Sequence, residues 1–329
     1  MTRNILGIDI GYDSLKLALC NNGRVKKAVT VPMPVNLIKD NRITSQEAMT
    51  DLLRTTMRKA HIRARQAAFI LPNELSYVRT ITMPDMNAEQ LAYNLPYEFN
   101  DYITDELKNY IFDYAMLSDP KAHPGEPMEL MGVAVPATAI QDVRTIFSKA
   151  GLKLVKAAPA ECAYISLIRA AKHDSDREYC ILDLGYRAIR MFMYRGDRHV
   201  VTRVLEVGLH NLDDVIAESM NVDTHLAHTY LLTNYEDCQD QDFCINAYNN
   251  VAVELMRALN FYRFSNRDSE LNDVWVCGGG VAIPGLCNAI HETLGMEMHS
   301  VEELLPPGVG QRVEDPVDYT LAIGITLER

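Results

Sequence analysis

The chain has 329 residues, of which 48% are hydrophobic and 23% charged, the composition of a globular protein long enough for about two domains. Its formal net charge of −12 argues against nucleic acid or an anionic lipid surface as the main partner. No apolar run approaches the roughly 20 residues of a membrane-spanning helix, and the first residues lack the pattern of a secretory signal, so we expect a cytoplasmic protein.

The first predicted elements are two strands joined by a glycine turn, followed by a helix. The apolar segments "NILGIDIG" (4–11) and "LKLALCNN" (15–22) form the predicted hairpin. Residues 44–60 predict an amphipathic helix, because apolar side chains recur at helical intervals and Thr44 and Glu47 have the spacing of a capping box. Two segments rich in β-branched and aromatic residues follow and predict further strands.

From residue 84 to residue 157 the pattern changes to that of a small α+β insert. A helix capped at Asn87 and interrupted by Pro96 precedes two strands, a second helix that ends near Gly151, and a third strand. The two strands, the second helix and the third strand are predicted at 110–117, 130–136, 137–151 and 152–159. Between the first two strands, the Pro, Gly and charged residues of "SDPKAHPGEP" (118–127) predict a solvated, flexible loop.

The second half of the chain repeats the opening hairpin. After a predicted helix at 160–171, the segment "ILDLGYRAIRMF" (181–192) matches "GIDIGYDSLKLA" (7–18). The matched pairs are Asp9 with Asp183, Gly11 with Gly185, Tyr12 with Tyr186, and Lys16 with Arg190. Residues 209–272 are predicted mostly as helices, and residues 273–295 as a strand, a glycine turn and a helix. Self-similarity at about half the chain length predicts two related α/β lobes.

Paired glycine hairpins of this kind suit a nucleotide. Successive backbone N–H groups in such a turn point into one concavity that fits a phosphate, and an aspartate at the neighbouring strand end can hold magnesium through water. Two facing hairpins would therefore grip a polyphosphate from both sides, with Asp9 and Asp183 near the metal. The third glycine turn, Gly278 to Gly280, lets the backbone approach a flat nucleoside. The plainer alternative is that both aspartates only cap their turns.

Four segments carry a resemblance to a known superfamily. In chain order, "GIDIGYDSLKLA", "AECAYISL", "LDLGYRAIRMF" and "VCGGGVAIPGL" resemble the phosphate-1, connecting, phosphate-2 and adenosine motifs of the actin, Hsp70 and sugar-kinase superfamily. Within it, "KAGLKLVKA", "RALNFYRF" and the closing "YTLAIGITLER" resemble the PilM-type actin-like proteins of type IV pilus assembly, relatives of the cell-division protein FtsA.

This resemblance implies a bilobed actin-like, ribonuclease H-like α/β fold with an inserted α+β subdomain. The implied subdomains are 1A (1–83 and 158–176), 1C (84–157), 2A (177–208 and 273–329) and 2B (209–272). It also implies ATP or ADP with magnesium in the central cleft, the metal being held through water by Asp9 and Asp183. The implied nucleotide-binding residues are Gly11, Tyr12, Asp13, Ser14, Lys16, Gly185, Tyr186, Arg187, Gly208, Glu254, Gly278, Gly279 and Gly280.

The implied catalytic residue is Glu161, which opens the connecting helix, where relatives keep a polar residue that orients the attacking water. A carboxylate stabilised by the helix dipole is an equally good interpretation of Glu161. The sequence also departs from the family pattern: Tyr186 and Arg187 fill a turn that usually holds small or hydroxyl residues, only Gly208 stands where paired glycines are usual, and "THLAHTYLLTNYE" lacks a lysine. Because phosphoryl transfer depends on positioning and charge, we expect ATP hydrolysis to be slow or absent.

The implied partner is the N-terminal cytoplasmic tail of PilN, an inner-membrane pilus protein, bound in a groove between 1A and 1C. We expect "FILP" (69–72) and "ITMP" (81–84) to floor this groove and the helix with Tyr93 and Tyr97 to wall it; alternatively these tyrosines belong to a core. Other pilus components and motor ATPases are further expected partners. Nucleic acid is not expected as a partner. Contact with the inner face of the cell membrane would come only through partner proteins.

The same residues leave other functions and sites open. The alternatives to a nucleotide-binding scaffold are a sugar-type kinase of the same superfamily and a degenerate interaction module that binds no nucleotide. The seven cysteines lack Cys-x-x-Cys spacing and predict buried thiols. His225 and His228 share a predicted helix face without a third ligand, so zinc is not expected there.

Overall fold

A computed structural model of the chain describes residues 4–39, 41–117, 125–171, 177–306, 309 and 313–327. Its strands are β1 (Asn4–Ile10), β2 (Ser14–Asn21), β3 (Arg24–Pro32), β4 (Ile38–Lys39), β5 (Arg42–Ile43), β6 (Gln66–Leu71), β7 (Tyr77–Met83), β8 (Tyr110–Met116), β9 (Met128–Pro136), β10 (Lys153–Pro159), β11 (Glu178–Leu184), β12 (Ile189–Arg195), β13 (Arg198–Leu205), β14 (Asp273–Cys277) and β15 (Glu297–Ser300). Its α-helices are α1 (Gln46–Lys59), α2 (Ala88–Asn94), α3 (Ala137–Lys149), α4 (Ala160–Ala171), α5 (Leu209–Met220), α6 (Thr224–Thr233), α7 (Asp242–Ser265), α8 (Pro284–Leu294) and α9 (Thr320–Gly324).

Two sheets with the same topology form the two lobes. The first sheet has the order β3-β2-β1-β6-β10 and the second β13-β12-β11-β14-β15. In each, three antiparallel strands are followed by two parallel ones. Asp9 lies opposite Lys16 in the first hairpin, just as Asp183 lies opposite Arg190 in the second. The two related lobes predicted from the repeated hairpin are therefore confirmed.

The insert has a sheet and a core of its own. Its strands have the order β7-β9-β8. Helix α2 begins at the capping box of Asn87 and Gln90, and Pro96 lies in the first turn of the short 3-10 helix (Leu95–Phe99) that follows it. Phe99 and Leu130 are fully buried in the core that these elements share. The predicted helix capped at Asn87 and interrupted at Pro96 is thus confirmed.

Two strands pair differently from the sequence prediction. Strand β10, expected in the insert, extends the first sheet beside β6, and β7, expected in 1A, pairs with β9 in the insert. Strand formation is encoded locally, whereas the pairing partner is chosen by distant residues. The subdomain boundaries themselves stay a prediction. Most of the predicted loop at 118–127 lies outside the described residues.

The start of α1 also differs from the prediction by one residue. The N-cap is Ser45, whose hydroxyl accepts a hydrogen bond from the Ala48 N–H, and the expected capping box at Thr44 is wrong. The Thr44 hydroxyl instead donates to the Asn36 carbonyl oxygen at 2.7 Å. Because its hydroxyl bonds the preceding loop, Thr44 does not cap the helix.

Helices α4 and α9 join the lobes through a shared core. Tyr164 of α4 and Ile323 of α9 are fully buried together with side chains of both large sheets. Helix α9 lies so close to β1 that a side chain at Gly7 would overlap the Ala322 carbonyl, its Cβ 2.7 Å from the carbonyl carbon. No disulfide forms among the described residues, and five of the seven cysteines are buried. Within the described residues, every helix is too short or too polar to cross a bilayer.

Candidate functional site

A cavity of about 500 Å³ lies between the lobes, where both glycine hairpins and the late glycine turn meet. Most predicted nucleotide and metal residues line it. These are Asp9, Gly11, Tyr12, Asp13, Ser14, Lys16, Asp183, Gly185, Tyr186, Arg187, Gly278 and Gly279. The structure thus brings together residues from the two halves of the chain in one cleft.

The floor of the cleft carries alternating charges. Burial, reinforced by Asp183, raises the pKa of Asp9, although Lys16 and Arg190 oppose the rise. Burial alone would lower the pKa of Lys16, but the carboxylates of Asp9, Asp183 and Asp318 outweigh it and raise that pKa. Carboxylate oxygens are the ligands that magnesium prefers, so Asp9 and Asp183 fit the implied ion.

The first hairpin turn is held from several sides. The Gly11 N–H donates to the Ser14 carbonyl oxygen at 2.9 Å and closes the turn, so this N–H is not directed at the cavity. The Tyr12 hydroxyl donates to the Asn41 side chain and accepts from the Asn41 N–H at 2.9 Å. The Arg187 guanidinium of the second lobe lies 5.1 Å from the centre of the Tyr12 ring.

The second hairpin turn packs against its own lobe. The first two N–H groups of α5 donate hydrogen bonds to carbonyl oxygens of this turn. The Leu209 N–H donates to the Gly185 oxygen at 3.2 Å, and the His210 N–H donates to the Tyr186 oxygen at 3.0 Å. Gly208, the N-cap of α5, does not line the cavity. Any side chain there would collide with the turn, with its Cβ 2.7 Å from the Arg187 carbonyl carbon. Gly208 therefore permits the close packing of helix on hairpin.

The third glycine turn borders the second hairpin. Gly278 has φ +87°, which favours glycine, and a Cβ there would lie 2.6 Å from Asp183 Oδ1. Gly279 lines the cavity beside it. Gly280 lies outside the lining, where it packs against Leu184. The turn thus leaves room for a flat group next to Asp183.

Glu161 and Glu254 lie outside the cleft. Glu161 is 1% exposed and faces β13, where the Thr202 hydroxyl donates to its Oε1 at 2.7 Å. Burial raises the pKa of Glu161, and its Oε2 has no hydrogen-bond partner among the residues that the structure describes. Glu254 is an exposed residue of α7 that pairs with Arg257 one turn later. Neither side chain reaches the cavity in this arrangement.

Sequence reasoning missed the contacts that cross between the lobes. Glu74, which follows β6, forms an ion pair with Arg190 of β12, and the two side chains are only 26% and 14% exposed. His228 of α6 lies between Asp13 of the first lobe and Asp213 of the second. No local pattern marks Glu74, and Asp13 and Asp213 lie on elements other than the helix of His228.

Part of the cavity lining, which we call the apolar branch, is formed by apolar residues of the first lobe and the insert. It contains Phe69, Ile70, Leu71 and Pro72, the residues expected to floor the peptide groove, together with Ile38 and Ile43 of the β4–β5 hairpin and Val135 of β9. The segment 81–84 does not line it, because Ile81 and Met83 are buried in the insert core. Tyr93 and Tyr97, expected to wall the groove, do not line this cavity; they are 70% and 54% exposed, so the alternative that placed them in a core is wrong.

Comparisons with known proteins agree with this architecture. The model of the family described as type IV pilus assembly protein PilM matches residues 7–329. A solved PilM–PilN type IV pilus biogenesis complex contains a chain with 24% identity and a TM-score of 0.86, with 99% of each chain covered. The ethanolamine utilization protein EutJ from Carboxydothermus hydrogenoformans has 14% identity and a TM-score of 0.61, covering 99% of this chain and 89% of EutJ.

A third solved structure has a similar fold and contains a nucleotide. MreB5 of Spiroplasma citri bound to ADP has 12% identity and a TM-score of 0.53, covering 98% of this chain and 94% of MreB5. At these identities the structural matches establish the fold, which is the bilobed actin-like fold expected from the sequence. A comparison with curated protein sequences gave no match.

Proposed function

The chain belongs to the PilM family of type IV pilus assembly proteins, and we propose that it serves in pilus assembly as an actin-like scaffold that binds ATP or ADP with magnesium between its lobes. The observation that carries this proposal is the cleft of about 500 Å³, lined by both hairpins. This volume lies within the range of about 300 to 1,000 Å³ typical of ligand pockets.

The charges of the cleft support a magnesium nucleotide over a neutral ligand. Asp9 and Asp183 would hold the ion through water, and its charge would offset that of the phosphates. Lys16 lies in the same cluster of carboxylates and provides a fixed positive charge on the floor. The ADP found in the similarly folded MreB5 supports the same proposal.

Turnover in this cleft should be slow or absent. Glu161 faces β13 and not the cavity, and the Gly11 N–H is used within its own turn. With Glu161 turned away from the cleft, phosphate release should be on the order of one per minute or less, below the roughly 1 to 1000 per second of typical enzymes. A steady rate of several per second, lost in Glu161→Gln, would contradict this.

The apolar branch of the cavity is the proposed site for the N-terminal tail of PilN. An extended peptide could place apolar side chains against Phe69 and Leu71, which lie on the same face of β6, between the β4–β5 hairpin and α3. The PilM–PilN complex of a similarly folded chain supports this choice of partner. Binding the tail of an inner-membrane protein would hold this chain at the inner face of the membrane.

Calorimetry of the full chain tests both parts. Titration with Mg-ADP should show one site, and Asp9→Ala should abolish the binding heat because the metal loses a ligand. Titration with a PilN tail peptide should fail in Thr138→Arg, which places a long charged side chain in the apolar branch. Gln141→Arg on the same helix, outside the lining, is the matched control and should bind normally. Equal peptide affinity in both variants would place the tail elsewhere.

A further inference from the structure

We propose that His228 is a positioning residue of the nucleotide site, which fastens the first hairpin to the second lobe by bridging Asp13 and Asp213. This inference rests on the proposed nucleotide function. Asp13 lies in the turn between β1 and β2, whereas Asp213 belongs to α5 and His228 to α6. The bridge therefore crosses from one lobe to the other at the edge of the cleft.

Both ring nitrogens of His228 face a carboxylate. Nδ1 lies 3.0 Å and 3.2 Å from the two carboxylate oxygens of Asp213, and Nε2 lies 3.3 Å from Asp13 Oδ1. A neutral imidazole has a hydrogen on one nitrogen only, so it can donate to just one of these partners. The imidazolium donates to both. The geometry alone thus favours a charged His228 that joins the two lobes.

The surrounding charges keep His228 protonated. Hydrogen bonds to Asp13 and Asp213 raise the pKa of His228 to about 10, although burial opposes the rise. The bond to His228 in turn lowers the pKa of Asp13. Because the folded pKa is raised, the stabilisation is fully present below the ordinary histidine value of about 6.5, declines above it, and is lost once the pH has risen through about 10.

The other charged or titratable groups around the bridge come from both lobes. Tyr186 packs edge-on against the His228 ring at 5.3 Å and hydrogen-bonds Asp213. His210 lies on the other side of Tyr186. The charge of Lys16 helps to lower the pKa of Asp13, and the charge of Asp214 helps to raise the pKa of Tyr186. The one cation that touches both carboxylates in this group is His228.

The bridge contacts two residues that line the cavity. Asp13 and Tyr186 both line it, and His228 touches both from behind. An unneutralised Asp13 would repel a polyphosphate and would leave the first hairpin free to move away from the second lobe. Loss of His228 should therefore speed nucleotide dissociation by about tenfold, since such contacts act mainly on the off-rate.

The charge of His228 can be tested in the nucleotide-free full chain. Nitrogen-15 NMR of the histidine side chains should show both His228 nitrogens protonated from about pH 6 to about pH 9, outside the range of an ordinary histidine. Asp213→Asn should bring its titration into that range, because one carboxylate is lost. A His228 that titrates near the ordinary value in the unaltered chain would overturn the bridge.

The positioning role is tested by stopped-flow dissociation of a fluorescent ADP analogue. His228→Gln should dissociate about tenfold faster, and His228→Lys, which restores the charge, should be close to the unaltered chain. Asp213→Asn should acquire a pH-dependent off-rate that the unaltered chain lacks. The control His225→Ala removes an exposed histidine of the same helix and should change nothing. Equal off-rates in the Gln and Lys variants would overturn the role.

The two experiments separate this inference from the function on which it rests. If the unaltered chain binds no nucleotide, the proposed function and the positioning role both fail. The NMR titration would still show whether the bridge between the lobes exists. If nucleotide binds but His228 titrates as an ordinary histidine, the proposed function stands and this inference fails.

Discussion

The two glycine hairpins share one backbone pattern but differ in how their turns are packed. In each, an aspartate lies opposite a basic residue on the next strand. The turn of the first hairpin reaches across the cleft through Asp13 to His228. The turn of the second is packed onto α5 of its own lobe through Gly208 and Tyr186. The second hairpin also reaches the other lobe, through Arg187 and Arg190, so the two hairpins differ mainly in the packing of the second turn on α5.

This difference predicts that equivalent changes in the two hairpins will act on different properties. Changes near the second turn should reduce stability, because they disturb packing within one lobe. Changes near the first turn should alter ligand binding and the contact between lobes. Three measurements test this contrast, from the largest expected effect to the smallest.

Gly208→Ala should be strongly destabilising. Its Cβ would overlap backbone atoms of the second turn, including the Arg187 carbonyl carbon at 2.7 Å, and backbone cannot move aside cheaply. We expect a loss of about 3 kcal/mol in the free energy of unfolding. Gly11→Ala, in the turn of the first hairpin, is the comparison; its nearest atom is the Ser14 oxygen at 3.2 Å, and it should cost less than about 1 kcal/mol. Equal losses in urea denaturation would remove the contrast.

Asp9→Asn and Asp183→Asn should each abolish thermal stabilisation by nucleotide. A ligand at 100 times its dissociation constant stabilises the folded chain by about 2.7 kcal/mol, and this gain should vanish in both variants. The aspartates occupy equivalent register positions at the strand ends, so here the two hairpins should behave alike. Thermal melts with and without Mg-ADP provide the measurement. A full shift in either variant would show that this aspartate does not hold the metal.

The ion pair of Glu74 and Arg190 should contribute a smaller, intermediate amount. The two side chains are mostly buried between the lobes, so a double-mutant cycle with alanine should give a coupling of about 1 kcal/mol. The exposed pair Asp51 and Arg54, whose atoms are 3.8 Å apart on α1, is the control and should give a coupling near zero. A coupling near zero for both pairs would mean that the lobes are not held by this contact.

The sequence determined the features that depend on neighbouring residues. The repeated Asp-x-Gly-Tyr hairpin predicted two related lobes and the pairing of Asp9 and Asp183 in one cleft, because a strand, a tight turn and a strand follow from local residue types. The capping box at Asn87 and the interruption at Pro96 were predicted correctly for the same reason. The family followed from several such motifs in one order along the chain.

The tertiary structure decided everything that depends on contacts between distant segments. It placed β10 in the first sheet, turned Glu161 toward Thr202 of β13 and brought His228 between two carboxylates. It also put Phe69 and its neighbours, but not residues 81–84, along the apolar branch of the cavity. Local propensity determines that a strand or helix forms, whereas the direction of each side chain depends on which surfaces the packed lobes bury together.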